Sequence, residues 1–498
     1  MNNIASLLLH RRSTSADKAF GLVGDPSTFG EVFDVAERAS QLLVETGLRP
    51  GARAAVIGVN SNAYLQSWMA LQLAGIETAL INPTYPDNLL AEMLAELEPD
   101  VVVWIGSHPS AQLVVGLMEI DATNIETAGL TINGVVQPLP SAVGVELPGL
   151  RRHPLDIAGY MHTSGTTGTP KFCAQTHEYF LRLGRFIADT MMLCSNDVVF
   201  APLPLFHINP LGYGVMGALT AGSGVLSASR FSASQFWPDV RTHDVTCLIL
   251  HAPPVEILKR TGGRSDAAGH KVRSVFFADA DFLTDFEIPL GVSAYGSTEA
   301  GGLCHVWVWR AGERPELNEG MSRYGGRSRH EVEWRVDQDG QIEIRSSRPG
   351  VLFEGYQRRG EMIRPFDDDG WFATGDLGRV DEYGNLVFIE RMAESIRVKG
   401  EFVPIGYVEE HFAKSLPGVR DVAIWRLPSE LVDDDVALYV ETDELDAAAI
   451  DAAAQALPAF MRPRIIVHVE SIPRDDGVGK IRRRQLVDAV EIARVALK

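Results

Sequence analysis

The pattern that most constrains this fold is the alternation of short apolar runs with helix-length segments over nearly three hundred residues. The runs are four or five residues long and rich in Val, Ile, Leu and Phe, which is typical of buried strands. Strands that alternate with helices form layered α/β sheets. We therefore predict strands at Ala54–Gly58, Val101–Ile105, Val198–Ala201, Thr246–Leu250 and Ser274–Ala278, and helices within 29–75, at Leu89–Leu97 and at His177–Met191.

The pattern changes near residue 330, where short strands follow one another and are joined by turns such as Asp339-Gly340. We predict a β-rich subdomain at about 325–391, which completes a large domain of residues 1–391. The remaining residues, 392–498, contain both strand and helix patterns and are long enough to form a small α+β domain that folds alone.

Composition excludes several classes of protein. The chain has 45 Lys and Arg against 65 Asp and Glu, and this net charge of −20 argues against general nucleic-acid binding, which neutralises phosphates with basic residues. The four cysteines are scattered and show no zinc or disulfide spacing, so we expect reduced thiols and a cytoplasmic location. The amino-terminal run 4–9 is too short for a signal sequence, and no run of 18 apolar residues predicts a membrane span.

The densest polar segment is 163–171, which reads Thr-Ser-Gly-Thr-Thr-Gly-Thr-Pro-Lys and follows a predicted strand at Ile157–Met161. Glycines let backbone N–H groups converge, hydroxyls add donors and the lysine adds a positive charge, so the segment suits a polyphosphate. It is not the P-loop of nucleotide triphosphatases, because Lys171 is followed by Phe172 rather than Ser or Thr. Taken alone, this composition also fits an ordinary surface loop.

Further motifs follow in a fixed order, and with 163–171 they resemble the adenylate-forming enzymes, in particular their acyl-CoA ligases. The resemblance extends over the whole chain, and the stretch Phe231–Trp237 (Phe-Ser-Ala-Ser-Gln-Phe-Trp) loosely resembles carnitine-CoA-ligase-like members without assigning a substrate. It implies that a carboxylate reacts with ATP to form an acyl-adenylate, which is then attacked by the thiol of coenzyme A. The motifs are Pro202–Asn209, Tyr295–Glu299 (Tyr-Gly-Ser-Thr-Glu), Phe372–Asp376 (Phe-Ala-Thr-Gly-Asp) and Pro473–Lys480.

The resemblance implies the following nucleotide site. Tyr295, with Gly296 and Ser297, would lie at the adenine, Thr298 would contact the α-phosphate and Glu299 would hold Mg²⁺, which commonly takes a single carboxylate beside phosphate oxygens. Asp376 would accept hydrogen bonds from the ribose hydroxyls. Arg391 would touch the ribose or a phosphate, and the phosphates would lie on Thr163, Ser164, Gly165, Thr166, Thr167, Gly168 and Lys171.

It also implies an acid site and a thiol site. His207 would line or gate the acid pocket, although a histidine after a strand is also a common structural residue. Because no acidic residue follows His207, an amino acid is disfavoured as substrate, and Gly212, Gly214, Gly217, Gly301 and Gly302 predict a roomy pocket for an apolar acid. Lys480 would bridge the carboxylate and the α-phosphate as the catalytic lysine, and Lys399 with Gly400 would face coenzyme A.

Two departures leave alternatives open. The family places a glycine-rich turn and a full helix before the Tyr-Gly motif, whereas this chain has Ala278–Asp281 and little room for a helix. The hinge of the small domain carries Ala393 instead of a charged residue. The prediction is an acyl-CoA ligase for a non-amino-acid carboxylic acid. One alternative is an enzyme that carries out mainly one half-reaction, either thioester formation from an acyl-adenylate made by a separate adenylating enzyme or adenylation for a carrier protein. The others are a non-catalytic nucleotide-binding protein and an oxygenase of the luciferase kind.

Overall fold

The computed structural model divides the chain into two compact units. The first comprises 1–83, 94–162 and 172–390, and the second comprises 84–93, 163–171 and 391–498. The predicted boundary at 391 remains a prediction. The structure describes residues 1–106, 116–141, 147–163, 170–312, 324–391, 396–399, 401–416, 418–428, 434–474, 481–486 and 495–496.

Strands occur where the apolar runs predict them, and strands predominate after residue 286 of the first unit. They are β1 (Ala19–Leu22), β2 (Asp25–Thr28), β3 (Arg53–Gly58), β4 (Glu77–Ile81), β5 (Val101–Ile105), β6 (Met118–Asp121), β7 (Leu130–Ile132), β8 (Val135–Gln137), β9 (Ile157–Thr163), β10 (Lys171–Thr176), β11 (Val198–Phe200), β12 (Gly224–Ser227), β13 (Cys247–Ile249), β14 (Ser274–Phe276), β15 (Leu290–Ser297), β16 (Gly302–Arg310), β17 (Tyr324–Ser328), β18 (Glu333–Val336), β19 (Gln341–Arg345), β20 (Gly355–Arg358), β21 (Glu361–Ile363), β22 (Phe372–Val380), β23 (Leu386–Arg391), β24 (Ile396–Val398), β25 (Glu401–Val403), β26 (Asp421–Pro428), β27 (Asp434–Glu441), β28 (Ile465–Val469) and β29 (Val495–Ala496).

Helices fill the segments between the strands, and several of them begin at a residue whose side chain caps the first turn. The hydroxyl of Thr28 accepts from the backbone N–H of Glu31, whose carboxylate accepts from the N–H of Thr28 in return. The helices are α1 (Ile4–Thr14), α2 (Phe29–Glu45), α3 (Asn62–Ala74), α4 (Asp87–Leu97), α5 (His177–Thr190), α6 (Met216–Ala221), α7 (Ala233–Thr242), α8 (Ala252–Thr261), α9 (Arg264–Ala267), α10 (Ala280–Asp285), α11 (Ile405–Ser415), α12 (Ala447–Gln455) and α13 (Arg483–Leu486).

Two large sheets organise the first unit. One has 13 strands in the order β18-β19-β22-β23-β17-β16-β15-β14-β13-β11-β12-β1-β2, and the other has 10 in the order β21-β20-β10-β9-β4-β3-β5-β6-β7-β8. Within the 13-stranded sheet, neighbours from β1 to β15 in the order β1-β12-β11-β13-β14-β15 are parallel. Their carboxyl ends therefore meet at one edge, which is where ligands bind in open α/β sheets.

The main core lies between these sheets and is filled by α1, α2, α3 and α5. Helix α3 is buried on nearly every side, because its Tyr64, Trp68 and Leu71 are each at most 2% exposed. Helix α5 buries one face, with Tyr179 and Leu183 inside. This fold is α/β, as the alternating pattern predicts.

The second unit contains its own sheets. Strands β24 and β25 form a hairpin, and β26 to β29 form a four-stranded sheet in sequence order. Trp425 and Tyr439 anchor the apolar cluster of this sheet. Across the part of the chain that the structure describes, no helix combines the length and the apolar character needed to cross a bilayer.

Candidate functional site

The separately predicted motifs of the first unit meet at the carboxyl edge of the parallel strands. Strand β11 ends at Phe200 and leads into 202–209, β14 ends at Phe276, and β15 ends in the Tyr295-Gly296-Ser297 segment. Because these strands are parallel, segments far apart in the chain leave the sheet side by side. The edge is thus the candidate site of the first unit.

Tyr295 and Asp376 form a buried hydrogen-bonded pair at this edge. The phenol donates to Oδ2 of the carboxylate at 2.8 Å, and the two residues are 7% and 5% exposed. Burial raises the pKa of Tyr295 well above its ordinary value, so the phenol stays protonated and remains a donor. The sequence predicts both residues for the nucleotide, and the structure brings them together from strands 81 residues apart.

The ring of Tyr295 is oriented by a β-bulge and by aromatic neighbours. The register of β15 against β16 shifts between Tyr295 and Gly296, and such a bulge redirects side chains. The ring is nearly parallel to Phe388 at 6.0 Å and meets His305 edge-on at 5.9 Å. Its position is therefore fixed by packing from both sides.

The turn of Thr298 and Glu299 is held by three neighbouring elements. The hydroxyl of Tyr179 in α5 donates to the carbonyl of Thr298 at 2.8 Å, and the N–H of Phe353 donates to the carbonyl of Glu299 at 3.1 Å. The phenol of Tyr356 donates to Oε1 of Glu299 at 3.1 Å. Both Thr298 and Glu299 are half-buried, so a fixed backbone presents two partly accessible side chains.

The carboxylate of Glu299 fits a metal that arrives with a ligand rather than a resident metal. Among the described residues, no three His, Cys, Asp or Glu side chains gather in a metal-binding group. Mg²⁺ is commonly held by one or two carboxylates and completes its shell with phosphate oxygens and water. The donor set around Glu299 is therefore compatible with Mg²⁺ bound to a polyphosphate.

The segment 202–209 is pinned by Asn60, which follows β3. Its amide donates to the carbonyls of Leu203 at 2.8 Å and Ala228 at 2.9 Å, and its oxygen accepts from the N–H of Leu205 at 2.8 Å. The sequence analysis missed Asn60. A polar residue immediately after an apolar strand was the available signal.

His207 belongs to a small aromatic group. Its ring meets Phe206 at 4.7 Å and lies 6.1 Å from the ring of His162. Burial, together with the neighbouring His207, lowers the pKa of His162 to about 3. His162 is therefore neutral at physiological pH, and His207 is the half-buried member of the pair.

Residues 209–215 then form a π-helix, a rare element that often marks functional sites and that no sequence pattern predicted.

The segment 278–281 has no glycine-rich turn and no full-length helix after it, as the sequence predicts. Helix α10 has only 6 residues. Asp279 caps it through the N–H of Phe282 at 2.8 Å and also binds the amine of Lys259 at 2.7 Å. The backbone still turns sharply, because Phe277 adopts a φ of 66°, a left-handed conformation that strains a residue with a Cβ.

Several predicted residues lie at or beyond the limits of the described chain. Thr163 ends β9 and is 7% exposed, Lys171 begins β10 and is half-buried, and Arg391 ends β23. Lys399 is exposed between β24 and β25 with a φ of 51°. The residues that lie outside the described ones are Ser164, Gly165, Thr166, Thr167, Gly168, Ala393, Gly400 and Lys480.

The prediction that glycines leave a roomy pocket is wrong. A Cβ on Gly214 would lie 2.5 Å from the Cβ of Ala201, and a Cβ on Gly301 would lie 2.1 Å from the carbonyl oxygen of Val351. These glycines permit close packing, and the space beside them is already filled. The same holds for Gly212, Gly217 and Gly302, each with a neighbouring side-chain atom within 2.9 Å of the added Cβ.

Comparisons with known proteins agree with this arrangement. The model of the family described as AMP-binding enzyme matches residues 12–355. The oxalate–CoA ligase of Arabidopsis thaliana is 25% identical over 97% of this chain and 96% of its own length. The long-chain-fatty-acid–CoA ligase of Mycobacterium tuberculosis is also 25% identical, over 97% of both chains. The o-succinylbenzoate CoA synthetase of Bacillus subtilis, bound to a product analogue, superposes with a TM-score of 0.82 at 20% identity over the full length of both chains.

Proposed function

The chain belongs to the family of AMP-binding enzymes, and from this premise we propose that it is an ATP-dependent acyl-CoA ligase. It activates a carboxylic acid as an acyl-adenylate and transfers the acyl group to coenzyme A. The observation that carries this function is the family match together with the site at the carboxyl edge, where Tyr295 and Asp376 are paired beside Thr298 and Glu299. Both curated relatives are named as CoA ligases, although for very different acids.

The reaction has two balanced steps. In the first, a carboxylate oxygen attacks the α-phosphorus of ATP, the bond between the α-phosphorus and the bridging oxygen breaks, and pyrophosphate leaves. In the second, the sulfur of coenzyme A attacks the acyl carbon, the thiol proton is released, and AMP leaves with the former carboxylate oxygen. Two anions must meet in the first step, so the site has to supply positive charge and oriented donors.

The paired residues would bind adenosine. Asp376 would accept hydrogen bonds from the ribose hydroxyls, and the phenol of Tyr295 orients its carboxylate from 2.8 Å. The ring of Tyr295, fixed by Phe388 and His305, would offer its remaining surface to the adenine. Gly296 and Ser297 belong to the same strand end, and Arg391 would contact the ribose or a phosphate.

The turn after β15 would bind the phosphates and their metal ion. Thr298 would contact the α-phosphate, and Glu299 would hold Mg²⁺, which when bound neutralises charge on the departing pyrophosphate. Tyr356 keeps the carboxylate of Glu299 in one orientation. The hydroxyls, glycines and lysine of 163–171 would hold the outer phosphates by the chemistry argued from their sequence.

The remaining roles are assigned from the motifs. His207, half-buried against Phe206, would line the acid pocket. Lys480 would bridge the carboxylate and the α-phosphate as the bond between them forms. Lys399 and Gly400 would lie along the path of the coenzyme A thiol.

One assay tests this function. The purified protein is incubated with ATP, Mg²⁺, coenzyme A and a panel of carboxylic acids, and AMP and acyl-CoA are measured separately. We expect both products in equal amounts for at least one acid, and loss of both in Lys480→Ala. Lys414→Ala is the matched control, because Lys414 is an exposed lysine of α11 that pairs with Glu410 at 2.5 Å on the surface.

The same assay separates the alternatives. Acyl-CoA from preformed acyl-adenylates, but none from ATP and free acid, would indicate an enzyme served by a separate adenylating protein. AMP formed only with a carrier protein would indicate that carrier as the acceptor. If no acid and no acyl-adenylate reacts, and ATP still binds, the protein is a non-catalytic nucleotide-binding relative and the proposed function fails.

A further inference from the structure

Arg329 is a buried cation at the edge of the candidate site. It follows β17, and its backbone N–H donates to the carbonyl of Cys304 in β16 at 2.8 Å. A Cβ on Gly301 would lie 3.0 Å from Nη2 of Arg329, so the guanidinium packs directly against this glycine, which is two residues from Glu299. Gly301 has a φ of 74°, a conformation that suits glycine and keeps a side chain out of this space.

No carboxylate of the described chain forms an ion pair with Arg329, although Glu331 attracts its guanidinium from beyond ion-pair distance. The residue is 3% exposed, and its Nε and Nη2 have no hydrogen-bond partner. Its guanidinium lies over the ring of Phe186 at 5.1 Å, which provides no acceptor. The carboxylate of Glu331, two residues away, is bound by Arg182 and approached by Arg348 at 3.6 Å instead.

This arrangement is unusual for an arginine. Burial lowers the pKa of Arg329, but an arginine stays charged in proteins, so the positive charge remains in an apolar setting. A buried charge that lacks a counter-charge and hydrogen bonds is costly. Arg152 and Arg182 also have a buried nitrogen without a hydrogen bond, but both form ion pairs through the same group. An anionic group of a ligand would remove this cost.

The surroundings of Arg329 place that anion on the acid rather than on ATP. The neighbouring rings are Phe186 of α5 and Tyr213 of the π-helix. Tyr213 packs against Gly302, since a Cβ added to this glycine would lie 3.0 Å from the tyrosine ring. That π-helix follows directly after 202–209, the segment proposed for the acid pocket. The phosphate side of the turn belongs to Thr298 and Glu299, where a separate set of partners is already in place.

Resting on the ligase function proposed above, we infer that Arg329 binds a second anionic group of the acid substrate. The substrate class is then an acid with two acidic groups, such as a dicarboxylic acid. One carboxylate reacts with ATP, while the planar fork of the guanidinium holds the other group through its unpaired N–H donors. This replaces the apolar acid that the glycines alone suggested.

The test compares each dicarboxylic acid with its own monomethyl ester, which has the same skeleton and one charge fewer. For the wild-type enzyme we expect kcat/KM for the diacid to exceed that for the ester by at least about 30-fold, the effect of losing one partner of a buried charge pair. In Arg329→Met this ratio should fall close to one while the KM for ATP stays unchanged. Arg329→Lys should keep only part of the preference, because an ammonium lacks the fork.

Arg327→Met is the matched control, because Arg327 is an exposed arginine of β17, two residues before Arg329. It should leave the ratio unchanged. A wild-type preference for the monoester, or an unchanged ratio in Arg329→Met, would overturn the inference. A lower unfolding midpoint of unliganded Arg329→Met would also count against it, because a purely structural cation over Phe186 would stabilise the fold, whereas an uncompensated one does not.

A binding measurement keeps this test independent of turnover. If no acid yields AMP, the ligase function has failed, and thermal shift with the same diacids then tests Arg329 alone. A diacid that raises the unfolding midpoint of the wild-type protein and not that of Arg329→Met supports the anion site. If no diacid shifts the wild-type protein, the anion site is refuted as well.

Discussion

The two edges of the parallel strands differ in how their arginines are paired. At the amino edge, Asp197, Thr246 and Arg273 directly precede β11, β13 and β14 and satisfy one another. Arg273 donates to both oxygens of Asp197 and to the carbonyls of Met191 at 3.1 Å and Met192 at 2.8 Å. Thr246 donates to the same carboxylate at 2.7 Å.

At the carboxyl edge, one buried arginine has no ion pair among the described residues. Asp376 and Glu299 each accept from a tyrosine, and Arg329 is buried with two unpaired nitrogens. The comparison shows that this sheet can pair a partly buried arginine fully where only stability is required. The uncompensated arginine therefore marks the edge at which a ligand completes the structure.

The largest expected effect is a loss of stability from a substitution at the amino edge. Asp197→Ala leaves Arg273 without its counter-charge, and we expect a loss of about 3 kcal/mol in the free energy of unfolding of the first unit, measured by urea denaturation. The activity per folded molecule should stay unchanged, because the variant lies at the edge away from the site. A stability equal to that of the wild type would show that the network contributes nothing.

A smaller effect is expected at the carboxyl edge from Asp376→Asn. The neutral side chain loses charge-assisted hydrogen bonds to the ribose, so the KM for ATP should rise by about 10- to 100-fold. The urea midpoint should change little, since Tyr295 can still donate to an amide oxygen. An unchanged KM for ATP would remove Asp376 from the nucleotide site.

A finer effect is expected from Tyr356→Phe. This variant removes the hydrogen bond to Oε1 of Glu299 while the ring remains. We expect the Mg²⁺ concentration needed for half-maximal AMP release to rise by about fivefold, the size of one hydrogen bond. A variant with the wild-type Mg²⁺ dependence would separate Glu299 from the metal.

The smallest effect is a pH dependence confined to the amino edge. Burial opposes ionisation of Asp197, but hydrogen bonds from Arg273, the N–H of Cys194 and Thr246 outweigh it and lower its pKa to about 2. A carboxylate whose pKa falls on folding stabilises the fold above its unfolded pKa of about 3.9 and loses that stabilisation as the pH falls through the folded value. Unfolding measured between these two values should show a steeper decline for the wild type than for Asp197→Ala.

Much of the fold could be predicted, because local apolar periodicity reports local structure. The strand at Val101–Ile105 occurs as predicted, and the segment before Tyr295 contains a helix of only 6 residues, in agreement with the prediction that no full-length helix lies there. The π-helix at 209–215 could not be found, since its period matches neither the helix nor the strand template. The glycines were misread, because composition does not distinguish a glycine beside open space from one beside packed atoms.

Candidate site residues could be predicted where they belong to a short motif whose members lie within a few residues of each other. Residues whose partners are distant in the chain were missed. Tyr295, Glu299 and Asp376 were found as motif residues. Asn60 and Tyr356 were not, because they reach their partners across 145 and 57 residues, and such pairings follow from topology. Arg329 was missed because only its burial distinguishes it from the other arginines, and that burial follows from the three-dimensional fold.

The most direct test of the two-edge account applies one substitution at both edges. Arg273→Met and Arg329→Met are prepared alongside the wild type, and the urea midpoint and the AMP released with ATP, coenzyme A and dicarboxylic acids are measured on the same samples. We predict that Arg273→Met loses stability and keeps its turnover per folded molecule, whereas Arg329→Met keeps or gains stability and loses its preference for diacids. Loss of stability in both variants, with diacid preference intact in Arg329→Met, would contradict the account.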